Sequence, residues 1–190
     1  MPEFSTRELL DALESDFLRA SNALIASIQG AEDSRTSEHE QEHFYLMRQV
    51  VRTAFAYMEG TTFSLKLTAT KACVDKGIDV SQAERYLVGE IEHRVNDGGE
   101  VVQRPAHIRL TANIRFAFNL AERAWAKNGL FDPSSDWWAC LQASVKVRDR
   151  LTHPRWPMDL EVSPDEMMQM IKAKDGFTNL VRQYAVASAA

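Results

Sequence analysis

Apolar residues recur at intervals of three and four along most of this chain, and the polar residues between them fall where helices start and stop. Ser5-Thr6-Arg7-Glu8 is a capping box, and Leu10, Leu13, Phe17, Ala20, Leu24 and Ile28 then form one stripe that Gly30 ends. Ala31 to Arg35 reads as a polar loop. Ser37 with Glu40 is a second capping box. It opens a stripe of Phe44, Met47, Val51, Ala54, Met58, Leu65, Ala69 and Ala72 that predicts a helix to about Lys76, with Gly60-Thr61-Thr62 as the place where it would bend or break. Ser81 with Glu84 is a third, starting a shorter helix through Leu87, Val88 and Ile91.

Between Glu92 and Arg104 the period changes. Asn96-Asp97-Gly98-Gly99 lies between Val95 and Val101-Val102, which predicts a turn and a small β-hairpin over residues 92–104. It reads either as a surface arm or dimer contact, or as a loose connection. From Pro105 the helical period returns through Ile114, Ala117, Phe118, Ala121, Ala124 and Trp125, with Gly129 as its stop. Phe116 and Phe118 cannot share that inward face. Asp132-Pro133-Ser134-Ser135 reads as turn and cap for a helix from Trp137 to Leu151, whose two tryptophans read as core and staple residues. Ser163-Pro164-Asp165-Glu166 starts the last helix, which Met167, Met170, Ile171, Phe177, Val181 and Tyr184 continue, with Asp175-Gly176 as its weak point and Ala187 to Ala190 as a frayed tail. The fold class is therefore all-α: a bundle of five to six helices with one small hairpin, in a single domain over residues 1–190.

Composition narrows the setting. Hydrophobic content of 45% and charged content of 26% are those of an ordinary globular chain, and a net charge of -5 argues against a general nucleic-acid-coating role. Cys73 and Cys140 are two, distant and both in helical pattern, which points away from a disulfide framework and to a reducing cytoplasm. Met1 to Leu13 lacks a signal-peptide layout, and no run approaches the roughly 18 apolar residues of a membrane span, so no membrane partner is expected.

Against that acidic background, residues 144–156 hold Lys146, Arg148, Arg150 and Arg155 against Asp149 alone. Pro154 pushes the residue before it out of the α region, so His153 should be the first residue past the helix. Trp138, Leu141, Val145 and Arg148 fall at spacings of three, four and three, which sets a guanidinium on an apolar stripe where it needs a partner. In an ideal helix Arg148 and His153 are about 140° apart around the axis. They converge only if the helix unwinds at Pro154 or if they face a second copy. Glu59, with no basic partner in its own helix register, reads first as a solvated face residue and second as a polar residue of this helix facing the Arg148 site.

The run Arg148-Asp149-Arg150-Leu151-Thr152-His153-Pro154, an arginine and a histidine separated by four residues near the end of a helical chain, resembles the signature of the HEPN superfamily, small helical-bundle proteins of prokaryotic toxin–antitoxin and defence systems. The resemblance implies a HEPN-like fold, a homodimer with both motifs lining one cleft, and metal-independent ribonuclease chemistry with no cofactor. It gives His153 acid–base work on the ribose hydroxyl or leaving oxygen and Arg148 the scissile phosphate. Lys146, Asp149, Arg150, Arg155 and Trp156 are then candidate substrate-binding residues for RNA, with Trp156 placed to stack on a base. Asparagine often follows the arginine in that superfamily, and here Asp149 does. A carboxylate beside a phosphate repels it unless Arg150 or Lys146 neutralises it.

Two other readings stand beside this one. Asp149 and the acidic total favour a non-catalytic helical interaction module of the same fold, bound to an antitoxin, toxin or nucleic-acid partner. His39-Glu40-Gln41-Glu42-His43 matches a zinc-protease pattern as text, but it sits in the charged first turns of a helix beside Glu38 and Glu42, with no third ligand at the expected spacing downstream other than Glu59, for which a case can be argued. A solvated helix start suited to the helix dipole is the better reading, and no metal is expected there.

Overall fold

Local start signals account for where several helices begin. The computed structural model describes residues 6–30 and 37–188. Among them are six α-helices, α1 (Thr6–Gly30), α2 (Ser37–Asp75), α3 (Gln82–Val88), α4 (Leu110–Trp125), α5 (Asp136–Thr152) and α6 (Pro164–Ser188), with strands β1 (Ile91–Val95) and β2 (Val101–Pro105) between α3 and α4, and a 3-10 turn at Pro157–Leu160 before α6. The fold is an all-α bundle carrying one small hairpin. Ser81 caps α3 in both directions, its hydroxyl accepting from the Glu84 N–H while its own N–H donates to the Glu84 carboxylate. Ser163 and Glu166 repeat the arrangement at α6. Ser37 is already the first residue of α2, so the cap of that helix and the first capping box, at Ser5, lie outside the described residues, as do the loop after Gly30 and the last two residues of the tail.

Neither glycine marked as the place where a long helix would break interrupts its helix. A Cβ at Gly60 would be driven into the Leu13 side chain of α1, and one at Gly176 into the Cβ and Cγ of Trp137 on α5. These residues are small because another helix passes close, and α2 and α6 run unbroken across them. Nor is Gly129 the stop of α4. Ala126 ends it in the left-handed region at φ 52°, its N–H donating to the Glu122 carbonyl, and Gly129 at φ 79° belongs to the turn beyond. The Glu122 carboxylate binds that turn by accepting from the Gly129 N–H and from the Tyr184 hydroxyl. Burial and this negative neighbour raise the Tyr184 phenol well above its usual range.

The chain divides into two compact units, Met1–Thr61 with Asp132–Asn179, and Thr62–Phe131 with Leu180–Ala190. In the first, Phe17 and Leu24 of α1 are buried, while Ile28 and Phe44, assigned inward by period, are exposed. The inward face of α5 is Trp138, Leu141, Ser144, Val147 and Leu151, so Val145 and Arg148 lie at its flank and not along its centre. Met167, Met170, Ala173 and Phe177 carry the α6 face, and Ile171 points out.

The second unit is built on Leu65, Ala69 and Cys73 of α2 and on Ile114, Ala117, Phe118, Leu120 and Ala121 of α4. Phe118 stacks between Phe131 and Tyr184, at 5.3 and 5.7 Å, and Phe116 is only half-buried. Burial raises the Cys73 thiol. The hairpin is antiparallel, with Ile91 opposite Pro105 and Val95 opposite Val101. Asn96 folds its turn, its side-chain oxygen accepting from the N–H groups of Gly98 and Glu100, and Gly99 takes φ 80°.

Candidate functional site at the end of α5

Helix α5 holds its geometry to Thr152 and stops at His153, whose φ of -128° and ψ of 59° lie outside the helix, as a residue before proline must. The His153 N–H donates to the Asp149 carbonyl, closing the last turn, and its ring is exposed. One helical turn earlier, the Arg148 guanidinium is half-buried. Nη2 donates to Oε1 of Glu59 on α2 at 2.6 Å, and Nη1 to Oδ1 of Asp149 at 3.0 Å. The pairing joins residues 89 apart in sequence and identifies Glu59 as the partner that an arginine on this flank requires. One cation thus sits between two carboxylates, which leaves the immediate surroundings of Arg148 with no positive excess.

Arg150 has a different part. Its Nη1 and Nη2 meet the Glu166 carboxylate in a fork at 3.0 and 3.1 Å, Nη2 also reaches the Glu161 carbonyl at 2.5 Å, and Nε the Asp159 carbonyl at 3.2 Å. A guanidinium spread over four acceptors fixes the chain between His153 and α6. Burial alone would push the Glu166 carboxyl up, but Arg150 and the Ser163 N–H hold it below the ordinary glutamate range.

The segment so fixed carries the other sequence candidates. Arg155 and Trp156 give their backbone N–H groups to Oδ2 of Asp159, at 2.7 and 2.8 Å, and these bonds hold the Asp159 carboxyl below its usual range. Their side chains are exposed, as is Lys146. Residues 152–158 form one continuous exposed strip of Thr-His-Pro-Arg-Trp-Pro-Met. Within one unit, then, the structure brings together Arg148, Glu59 and Asp149, and assembles Arg150, Asp159 and Glu166 as the mount on which His153, Arg155 and Trp156 are displayed.

Sequence reasoning did not single out Asp159. It stands three residues after Trp156, the spacing of a capping carboxylate, and that was the signal available. Arg48 was also passed over. It donates to the Leu160 carbonyl at 3.3 Å and lies over the exposed Tyr45 ring, 6.0 Å from its centroid, on a helix face whose meeting with the 3-10 turn no local pattern announces. The start of α2 leaves Glu38, Glu40 and Glu42 in solvent, with His43 edge-on to Phe44. Among the described residues, no group of three or more His, Cys, Asp or Glu is placed to hold a metal ion, and no helix is long and apolar enough to cross a membrane. Comparison of the chain with protein-family models, with curated proteins and with solved structures finds no match.

Proposed function

We propose that this chain is a HEPN-like, metal-independent endoribonuclease in which Arg148 and His153 act on RNA in a cleft completed by a second copy. The observation that supports the reading is the way α5 ends: an exposed histidine just past the helix, on a rigid mount, one turn beyond an arginine held in place from α2. Because α5 stays helical to Thr152, the two side chains leave it well apart around the axis, and a pair of copies offers the simplest way to bring an arginine and a histidine onto one phosphate.

In this mechanism the neutral His153 ring takes the proton of a ribose 2′-hydroxyl. The 2′-oxygen then attacks the adjacent phosphorus, and the bond to the 5′-oxygen of the next nucleotide breaks. Arg148 faces the charge that develops on the phosphoryl oxygens, and the leaving oxygen takes a proton from the second histidine or from water. The products are a 2′,3′-cyclic phosphate and a 5′-hydroxyl. Glu59 orients the guanidinium, and Lys146 and Arg155 attract the backbone.

The test is cleavage of mixed RNA in EDTA. The wild-type protein should cut, and His153→Ala and Arg148→Ala should each abolish cutting while circular dichroism stays unchanged. Cleavage retained by either variant would remove the assignment.

The double pairing of Arg148 favours a second reading, a non-catalytic interaction module bound to an antitoxin or other partner, since two carboxylates compete with a phosphate for the same cation. In that case the wild-type protein is inactive on RNA, and Arg148→Ala weakens capture of the protein partner.

A further inference from the structure

Tryptophan is the largest apolar side chain, and a folded chain ordinarily buries most of it. Trp138 follows that rule at 1% exposure, whereas Trp156 stands 68% exposed. Its backbone is not loose. Pro154 and Pro157 restrict the chain on either side, its own N–H is held by Asp159, and the following residues are held by the four bonds from Arg150. An indole raised on a fixed backbone spares binding the cost of ordering that backbone, which suits a surface made to receive a flat partner.

The surroundings narrow what that partner is. Arg155, next in the chain, is exposed, and Arg48 is tied to the end of the 3-10 turn that begins directly after Trp156 while lying over Tyr45, a second exposed ring. The acid nearest in sequence, Asp159, has its carboxylate engaged by backbone N–H groups. Trp156 and Arg155 on the segment, with Tyr45 and Arg48 on the α2 face tied to its end at Leu160, supply two rings and two cations in a protein whose total charge is negative.

We infer that Trp156 is a stacking platform for an unpaired base of single-stranded RNA, with Arg155 and Arg48 meeting the adjoining phosphates. The inference rests on the ribonuclease reading for its choice of nucleic acid, and it adds that the substrate is single-stranded, since a base inside a duplex offers no open face to an indole. Tyr45 supplies a second ring beside Arg48.

The experiment measures binding apart from cleavage. A fluorescently labelled, fully 2′-O-methylated single-stranded oligonucleotide lacks the attacking hydroxyl and cannot be cut, and its anisotropy is titrated with the full chain. Trp156→Ala should weaken binding by roughly 5- to 150-fold, the range expected for one lost base stack, and Trp156→Phe should restore most of it. The same strand annealed to its complement should bind more weakly and show no dependence on Trp156. Circular dichroism of both variants should match the wild type, because the side chain being removed is exposed. Binding unchanged by Trp156→Ala, or no binding by the wild type, overturns the platform. So does a loss of self-association in Trp156→Ala, seen by sedimentation with oligonucleotide binding intact, which would make the ring a contact between copies. The two readings fail separately: His153-dependent cleavage with Trp156-independent binding leaves the nuclease and removes the platform, and Trp156-dependent binding without cleavage does the reverse.

Discussion

Lys66 and Arg148 each meet a glutamate from another element of their own unit, Lys66 meeting Glu90 at 2.8 Å and Arg148 meeting Glu59 at 2.6 Å, yet burial makes them different kinds of pair. The Lys66 side chain is 0% exposed and is boxed in by the Leu87 carbonyl at 3.3 Å and the Phe63 ring. Burial lowers its ammonium despite Glu90, and the hydrogen bonds from Lys66 and Asn113 hold Glu90 low despite burial. Glu90 also sits at φ 53°, a conformation that costs a non-glycine residue about 1 kcal/mol, and its carbonyl accepts from the Ala106 N–H to close the base of the hairpin. The two glutamates are almost equally exposed, Glu90 at 40% and Glu59 at 42%; the contrast lies in the cations, since Arg148 at 35% is open to water and Lys66 is not. The first pair is a joint that must stay closed, and the second can exchange its anion. Pairing a cation with a glutamate does not fix a role; the cation's access to solvent does.

The largest expected effect is at the closed joint. Glu90→Ala leaves a buried ammonium without its anion, and the cost should be about 3 kcal/mol in urea unfolding, partly limited by release of the Lys66 proton. A loss under 1 kcal/mol would make the two pairs alike and break the distinction. The same joint should show in acid. Glu90 has a folded pKa below its unfolded one, so its contribution is present above the ordinary value of 4.5 and is lost as pH falls through the folded value. Stability of the wild type should therefore fall more steeply below pH 4.5 than that of Glu90→Gln, compared in matched urea titrations. Arg150 lies between the extremes, one-third exposed but spread over four acceptors. Arg150→Ala should cost about 2 kcal/mol and speed hydrogen exchange at the Arg155 and Trp156 amides.

How much of this was legible in the sequence follows from the range over which each residue acts. The caps at Ser81 and Ser163 need only a partner three residues away, and they were read correctly. The hairpin was read from a four-residue turn and lies where the turn put it. What requires Gly60 and Gly176 to be small was not legible, because the atoms concerned, on Leu13 and Trp137, are 47 and 39 positions distant. The α5 flank was misjudged by one position, since a stripe through Val145 and one through Ser144 fit the same period and only neighbouring helices choose between them. Glu59 could be suspected as facing Arg148 but not placed. Trp156 was singled out for base stacking from its neighbours in the chain alone; the hold on its backbone by Asp159, and on the residues after it by Arg150, was not legible, because no local pattern announces where the Arg150 guanidinium goes.

The smallest expected change in stability carries the sharpest functional consequence. Glu59→Gln keeps an oxygen where Oε1 accepts from Arg148 and removes only the negative charge, so unfolding in urea should move by less than about 1 kcal/mol. If Arg148 meets a phosphate as proposed, the lost carboxylate no longer competes for the guanidinium. RNA should then bind more tightly, with a lower KM and a plot of log affinity against log salt steeper by up to about one unit. Glu59→Ala removes the oxygen as well, so it should share the steeper slope but lose turnover, because Asp149 on the same helix is then the guanidinium's remaining anchor and the hold from α2 is gone. Were Arg148 no more than a helix-end cation tied to α2, neither substitution would move the salt slope, and the open pair would be as structural as the closed one.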